Sequence, residues 1–238
     1  MSRKAVILSG GLGTRLRPFT EVIPKPLLPI GEKAVLEIQI EQLKKFGFDE
    51  VYLATNYKSE YIEQFFGDGS RYGIKLYISK EEKPLGTVGP VKLIQKQLQD
   101  SPFVLMNGDI ITQLDYGKLY DFACHNDALL NVTIKKVITP FEFGNIFFNN
   151  DDVLKIEEKA SIISYALAGI YVLKPQIFDI IPDNEYFGMD SLIIKMLHTN
   201  QRVCKYEIKE YWLDIGRIDD YEKANKQLHD INTTENSL

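Results

Sequence analysis

The stretch AVILSGGLGTRLRPFTEVIPKPLLP, residues 5–29, decides how the chain is read. It opens on four apolar residues, Ala5 to Leu8, the length and character of a buried strand. The strand breaks into Gly10, Gly11 and Gly13, followed by Thr14 and Arg15. Glycines so placed let the backbone turn and bring main-chain N–H groups close to a ligand. Successive N–H groups in such a turn form an anion-binding nest, and the planar guanidinium of Arg15 suits phosphate. Lys25, held between Pro24 and Pro26, supplies a second cation on a segment expected to be stiff and extended. Two familiar phosphate motifs do not apply. No Gly-Lys-Ser/Thr occurs, and Leu16 stands where a dinucleotide fingerprint needs its third glycine. A tight turn with a surface arginine would explain the glycines alone, but not the gathering of Arg15, Arg17 and Lys25 beside them.

Working outward, strand and helix patterns alternate. Leu36, Ile40, Leu43 and Phe46 recur at helical spacing up to Gly47, and Val51–Thr55 is the next strand. Tyr61 to Phe66 forms a second helix stopped by Gly67, Ile74–Ile78 a strand, Val91–Leu98 a helix, and Phe103–Met106 a strand ending at Asn107-Gly108-Asp109. This β-α-β-α order predicts an α/β fold, a Rossmann-like, mostly parallel mixed sheet flanked by helices, with ligands at the carboxyl ends of the strands. The second half is richer in β patterns. Leu129–Val137 is a strand, and Phe143–Phe148 and Val153–Ile156 pair as a hairpin. Tyr165–Leu173 is a further strand, Met189–Leu197 a helix, Arg202–Ile208 a strand and Ile218–Leu228 a terminal helix, leaving residues 229–238 as a polar, frayed tail. The chain is expected to form one domain over residues 1–228, its halves dividing near residue 128.

The 238 residues are 45% hydrophobic, enough for a sizeable core, and the net charge of −5 argues against a general nucleic-acid surface. A phosphate ligand must therefore be held by a local basic cluster. No apolar run approaches the ~20 residues of a membrane helix, and Ala5–Leu8 is too short for a signal peptide. The two cysteines, Cys124 and Cys204, fit no metal spacing and suggest a reducing, cytoplasmic setting.

Three further groups carry chemistry under one reading and structure under another. Gly86-Thr87-Val88-Gly89 either approaches something flat or merely starts a helix tightly. Asp109 is a helix cap or one of a pair of metal ligands, and Asp214, in Trp212-Leu213-Asp214-Ile215-Gly216, is a turn former or the other. Two such carboxylates brought together would hold Mg²⁺, which prefers one or two carboxylates plus substrate phosphates. Glu158-Lys159 is a solvated face or a pair of ligand contacts.

The double motif Leu8–Pro18 and Pro24–Ile30 closely resembles the opening of the sugar-1-phosphate nucleotidyltransferases (NDP-sugar pyrophosphorylases), above all the mannose-1-phosphate guanylyltransferase-like members. The resemblance covers about Lys4 to Lys226 and implies attack of a sugar 1-phosphate on a nucleoside triphosphate. It gives Arg15 and Lys25 the catalytic roles, and it puts Leu8, Gly10, Gly11, Gly13, Thr14, Gly86, Thr87 and Asp109 on the nucleotide. Gly144, Glu158, Lys159 and Leu167 would meet the sugar phosphate in a β-rich, sugar-binding second half, and Asp109 and Asp214 would hold Mg²⁺. The segment Leu85–Gly89 is similar to that of guanylyltransferase-like members, so GTP is favoured, with UTP, CTP or dTTP as alternatives. Two departures stand out: Ala160 replaces the proline of the family's Glu-Lys-Pro, and Leu167 replaces an asparagine that commonly contacts the sugar. Leu167 also leaves open a weakened, nucleotide-sugar-binding homologue. A glycosyltransferase would be expected to carry Asp-x-Asp at a strand end, and none occurs. No hexapeptide array is seen, so no left-handed β-helix is expected; the oligomeric state stays open, a homo-oligomer included.

Overall fold

Alternation along the strands is what buries the sheet on both faces. Ala5, Ile7, Val51 and Leu53 enter one core, while Val6, Tyr52 and Ala54 enter the other. The structure, a computed structural model, describes residues 2–235. In order it runs β1 (Arg3–Leu8), α1 (Phe19–Val22), β2 (Pro29–Ile30), β3 (Lys33–Ala34), α2 (Val35–Lys45), β4 (Phe48–Thr55), α3 (Ser59–Phe66), β5 (Lys75–Lys80), α4 (Gly89–Lys92) and α5 (Gln95–Leu98). There follow β6 (Phe103–Asn107), β7 (Ile110–Thr112), α6 (Tyr116–Cys124), β8 (Leu130–Pro140), β9 (Asn145–Asn149), β10 (Asp152–Glu157) and β11 (Ser161–Leu173). The chain then adds α7 (Met189–His198), β12 (Val203–Glu207), β13 (Trp212–Asp214) and α8 (Ile218–Glu235).

Seven strands form the central sheet in the order β12-β8-β11-β6-β1-β4-β5, and only β11 runs against the rest. The chain moves from β1 outward through β4 to β5, then returns to place β6 on the other side of β1. That reversal makes a crevice beyond the ends of β1 and β6, where open α/β sheets bind ligands. One core holds α2, α3 and α6 against the sheet through Leu36, Ile40, Ile62, Phe66 and Leu119. The opposite core holds α4, α5 and α7 through Val91, Leu98, Leu192 and Met196. A third, smaller cluster joins Leu16 and Leu28 of the opening segment to Ile215 and to Ala224 of α8, tying the two ends of the described chain together.

Several elements differ from the sequence expectation. Residues 91–98 form two short helices, because Ile94 leaves helical geometry at φ −114°, ψ 24° as its side chain enters a core. The terminal helix does not stop at Leu228 but continues to Glu235, which removes most of the expected frayed tail; residues 236–238 lie outside the described residues. Lys25 begins a 3₁₀ turn, Lys25–Leu27, so only Pro24 keeps the extended backbone expected of that segment. The helix α6, absent from the sequence reading, starts where the Asp115 carboxylate accepts the Lys118 N–H at 2.9 Å. Asp115→Ala is expected to cost about 1 kcal/mol, read from urea unfolding, the usual value of a lost cap. No helix among the described residues is long and apolar enough to cross a membrane.

Candidate active site

The carboxyl ends of β1, β4 and β6 and the residues after β5 surround one cavity of about 550 Å³. Leu8 and Ser9 form its floor, Gly10 to Arg15 and Lys25 one wall, and Asn107 to Asp109 another. The turn is held in shape by its own contacts. Gly13 has a left-handed φ of +60°, and a Cβ there would sit 2.8 Å from Thr20 Cγ2. The Thr20 hydroxyl donates to the Gly13 carbonyl at 2.8 Å. A Cβ on Gly11, by contrast, would meet nothing within 4 Å, so this stretch of backbone lies open toward the cavity.

Lys25 forms an ion pair with Asp109, both side chains largely buried. That pair leaves Asp109 Oδ1 buried without a partner, and Asp214 Oδ1 is in the same position. The two carboxylates are brought together by pairing: β13 runs antiparallel to β7 with Asp214 opposite Ile110, and the Ile215 N–H donates to the Asp109 carbonyl at 2.9 Å. Burial pushes the Asp214 carboxyl up, and the Asp109 charge adds to this, against the lowering effect of Lys25 and Arg15. Arg15 reaches the same place. The space above Gly216 is flanked by the Arg15 guanidinium at 3.6 Å and Asp214 Oδ1 at 3.5 Å from where a Cβ would lie. Two cations and two carboxylates with unspent oxygens therefore converge on a glycine turn. Such a donor set fits an anion of high charge together with a divalent cation.

Ten residues picked out from the sequence line this one cavity: Leu8, Gly10, Gly11, Gly13, Thr14, Arg15, Lys25, Gly86, Thr87 and Asp109. Asp214 stands at its edge beside Asp109. Gly86 and Gly89 are accounted for by packing. A Cβ on Gly86 would lie 2.7 Å from the Phe187 carbonyl oxygen, and one on Gly89 2.9 Å from that of Glu185. The Val88 and Gly89 N–H groups both donate to Phe187 O, so this segment starts its helix tightly and faces the cavity at the same time. Gly144, Glu158, Lys159 and Leu167 do not line the cavity and are exposed. Gly144 precedes β9, Glu158 and Lys159 fill the turn between β10 and β11, and Leu167 lies on β11.

The sequence reading missed Ser9, Asn56, Glu81 and Tyr186, all of which line the cavity. Ser9 is buried with its hydroxyl unpartnered. Glu81 follows the end of β5, where the charge run Lys80 to Lys83 looks like an ordinary solvated turn. Its Oε2 accepts the Leu85 N–H at 2.8 Å, its Oε1 lies beside Gly10, and burial pushes its carboxyl up.

The fold is an open, mostly parallel α/β sheet with a cationic, glycine-walled cavity at its switch point, the place where sheets of this class bind ligands. The chain belongs to the nucleotidyl transferase family, whose model (Nucleotidyl transferase) matches residues 4–231. It is 34% identical over 226 residues to the probable mannose-1-phosphate guanylyltransferase 1 of Oryza sativa subsp. japonica, and 33% identical over 226 residues to the mannose-1-phosphate guanyltransferase of Yarrowia lipolytica. These alignments take in 92% of this chain, which spans only 62% of the length of each relative. Among solved structures, HddC from Yersinia pseudotuberculosis complexed with GMP-PN superposes with a TM-score of 0.73 at 29% identity, covering 95% of this chain and 99% of that one. A Bacillus anthracis structure shares the fold, with a TM-score of 0.78 at 24% identity over 95% of each chain.

Proposed function

We propose that the protein joins a sugar 1-phosphate to a nucleoside triphosphate, preferably GTP, and releases pyrophosphate. The observation that carries this is the meeting of Arg15, Lys25 and the unspent oxygens of Asp109 and Asp214 around an open glycine turn. In the proposed reaction a phosphate oxygen of the sugar 1-phosphate attacks the α-phosphorus. The bond from that phosphorus to the α–β bridging oxygen breaks, and the electron pair leaves on pyrophosphate. Such transfers need positioning and charge neutralisation more than a covalent nucleophile. The N–H groups of Gly10 to Thr14 would cradle the phosphates, Arg15 the departing pyrophosphate and Lys25 the α-phosphate. Asp109 and Asp214 would hold Mg²⁺, which fits because each keeps a buried oxygen without a protein partner. Bound there, the ion would supply neutralisation of phosphate charge.

Guanine is favoured by Glu81. A carboxylate only accepts hydrogen bonds, and the guanine edge offers two adjacent donors, N1–H and N2–H. Uracil and thymine offer a single N–H between two carbonyls, and adenine and cytosine pair a donor with an acceptor, so none matches a carboxylate as well. The names of the Oryza and Yarrowia relatives favour the same base and a mannose-like 1-phosphate. Glu81→Gln would keep the contact to Leu85 but replace one acceptor by a donor. It is expected to lower kcat/KM for GTP by about 10- to 100-fold, the value of one charge-assisted hydrogen bond, with UTP and dTTP gaining relative to it. Competition assays among the four triphosphates measure this.

Within one domain, residues up to about 128 would serve the nucleotide and residues 129–228 the sugar, with Gly144, Glu158 and Lys159 as sugar-phosphate contacts. A cytoplasmic setting accords with the two free cysteines. Leu167 supports a second reading, a binding protein that has lost the chemistry, since a leucine supplies no hydrogen bond to a sugar. A pyrophosphate-release assay crossing the common triphosphates with a sugar 1-phosphate library decides. Turnover with GTP and a hexose 1-phosphate is expected; nucleotide-sugar binding without turnover on any pair would establish the second reading.

A further inference from the structure

Three strand ends meet at Gly10. Past the end of β1 the Ser9 N–H donates to the Ala54 carbonyl at 2.7 Å, and past the end of β5 the Glu81 N–H donates to the Thr55 carbonyl at 3.0 Å. These bonds carry both ladders of β4 beyond the paired residues and leave Asn56, the residue after β4, between the glycine turn and Glu81. A Cβ on Gly10 would lie 3.2 Å from Asn56 Cβ and 3.2 Å from Glu81 Oε1, so the two side chains start beside the same point. Both residues line the cavity.

An asparagine just before a helix ordinarily spends its side chain on the orphan N–H groups of the first turn. Here α3 has no side-chain cap, its N-cap being Lys58, and among the described residues the exposed Asn56 amide hydrogen-bonds to nothing else. Its two N–H donors and its carbonyl oxygen are therefore available to a ligand. Glu81 decides which end is presented. Its Oε2 already accepts the Leu85 N–H, and the charge on Oε1 repels an amide oxygen but attracts an amide N–H. Asn56 thus offers a donor beside a carboxylate.

A donor next to an acceptor is a template for one order of base atoms. Guanine matches it, with the O6 carbonyl beside N1–H and N2–H. Adenine and cytosine carry an exocyclic amine where guanine has O6, and an unprotonated ring nitrogen where guanine has N1–H. Each protein group would then meet its own kind. Uracil and thymine have a carbonyl and an N–H in those places, so Asn56 accepts them and only Glu81 tells them from guanine.

We propose that Asn56 is a specificity residue whose amide donates to the O6 carbonyl of the guanine that Glu81 holds by its N–H groups. The two residues divide the choice: Asn56 selects carbonyl-bearing over amine-bearing bases, and Glu81 selects guanine among the former. This rests on the guanine reading of the cavity and requires no turnover.

The test is equilibrium binding of GTP, 6-thio-GTP, UTP and ATP, each with Mg²⁺, to the full chain. 6-Thio-GTP keeps N1–H and N2–H but puts a weakly accepting sulfur in place of O6. Wild type is expected to bind GTP about 3- to 10-fold tighter than 6-thio-GTP, the value of one neutral hydrogen bond. Asn56→Ala should lose that factor for GTP and bring the two analogues level. Asn56→Asp keeps the size but replaces the donor by an acceptor, and should narrow the margin of GTP and UTP over ATP. Urea unfolding reports whether the variants fold. A merely structural disturbance of the glycine turn would weaken all four nucleotides by one factor, and that result overturns the proposal. Should neither variant fold, wild type decides, since equal binding of GTP and 6-thio-GTP also overturns it. A wild type that does not prefer GTP removes the guanine reading and the proposal together. A wild type that prefers GTP, with its ratio to 6-thio-GTP kept in both variants, removes the role of Asn56 alone.

Discussion

Arg15→Ala and Asp109→Asn are each expected to lower kcat for pyrophosphate release by roughly 10²–10³, the usual loss when one charge-stabilising group is removed from a transition state. The two variants differ in what else they disturb. Arg15 is exposed, and its guanidinium lies beside Gly216 and Asp214, so its removal should leave the unfolding midpoint close to wild type. Asp109 is the ion-pair partner of Lys25, and both side chains are mostly buried. Asparagine keeps an acceptor for the lysine but loses the charge, so a further cost of about 1–3 kcal/mol in urea unfolding is expected. Removing the Asp109 charge also relieves its repulsion of Asp214, which lowers that cost. Chelation by EDTA should match the Asp109→Asn loss in wild type and add little in the variant, if the same pair of carboxylates holds the ion. Near-normal turnover in both Arg15→Ala and Asp109→Asn would remove the assignment of this cavity as the reacting site.

The two-face burial of the sheet was legible because it is written locally. Apolar runs such as Ala5–Leu8 and Phe103–Met106, spaced by amphipathic helices, fit a sheet covered by helices on both faces. What was missed depends on partners distant in sequence. The strands β7 and β13 are three residues each and exist through pairing between residues 110–112 and 212–214, which no local pattern announces. The helix α6 had a signal in Asp115 followed by Tyr116, Leu119 and Ala123 at buried helical positions, but Gly117 and three aromatics disguise it. The gathering of Gly10 to Arg15 and Lys25 around one cavity was legible because glycines and cations recur within one short stretch. Glu81, Asn56 and Tyr186 were not, because each is an ordinary surface residue until the strand ends gather them. The expected sugar-phosphate residues lie beside β9, in the turn between β10 and β11 and on β11, outside the cavity lining.

Gly108→Ala is expected to lower kcat by about 10² and stability by about 1–3 kcal/mol, because one methyl group would part the two strand ends that frame the cavity. A Cβ on Gly108 would lie 2.6 Å from the Leu8 carbonyl oxygen, closer than any real contact, and backbone cannot swing aside as a side chain does. The Gly108 N–H donates to that same oxygen at 2.9 Å, so the clash falls on the bond that joins the ends of β1 and β6. The residue next to it is Asp109, whose carbonyl accepts the Ile215 N–H, so a shift there moves Asp214 as well. Gly11→Ala provides the contrast. Its Cβ would enter open space, so urea unfolding should be unchanged, yet the methyl would project where the phosphates are proposed to lie against the backbone. The expected result is a raised KM for the triphosphate at wild-type stability. If Gly11→Ala leaves KM unchanged while Gly108→Ala loses both activity and stability, the crevice positions the carboxylates but the glycine turn is not the phosphate cradle. If Gly108→Ala retains wild-type kcat, the close approach of β1 and β6 is not what sets the position of Asp109.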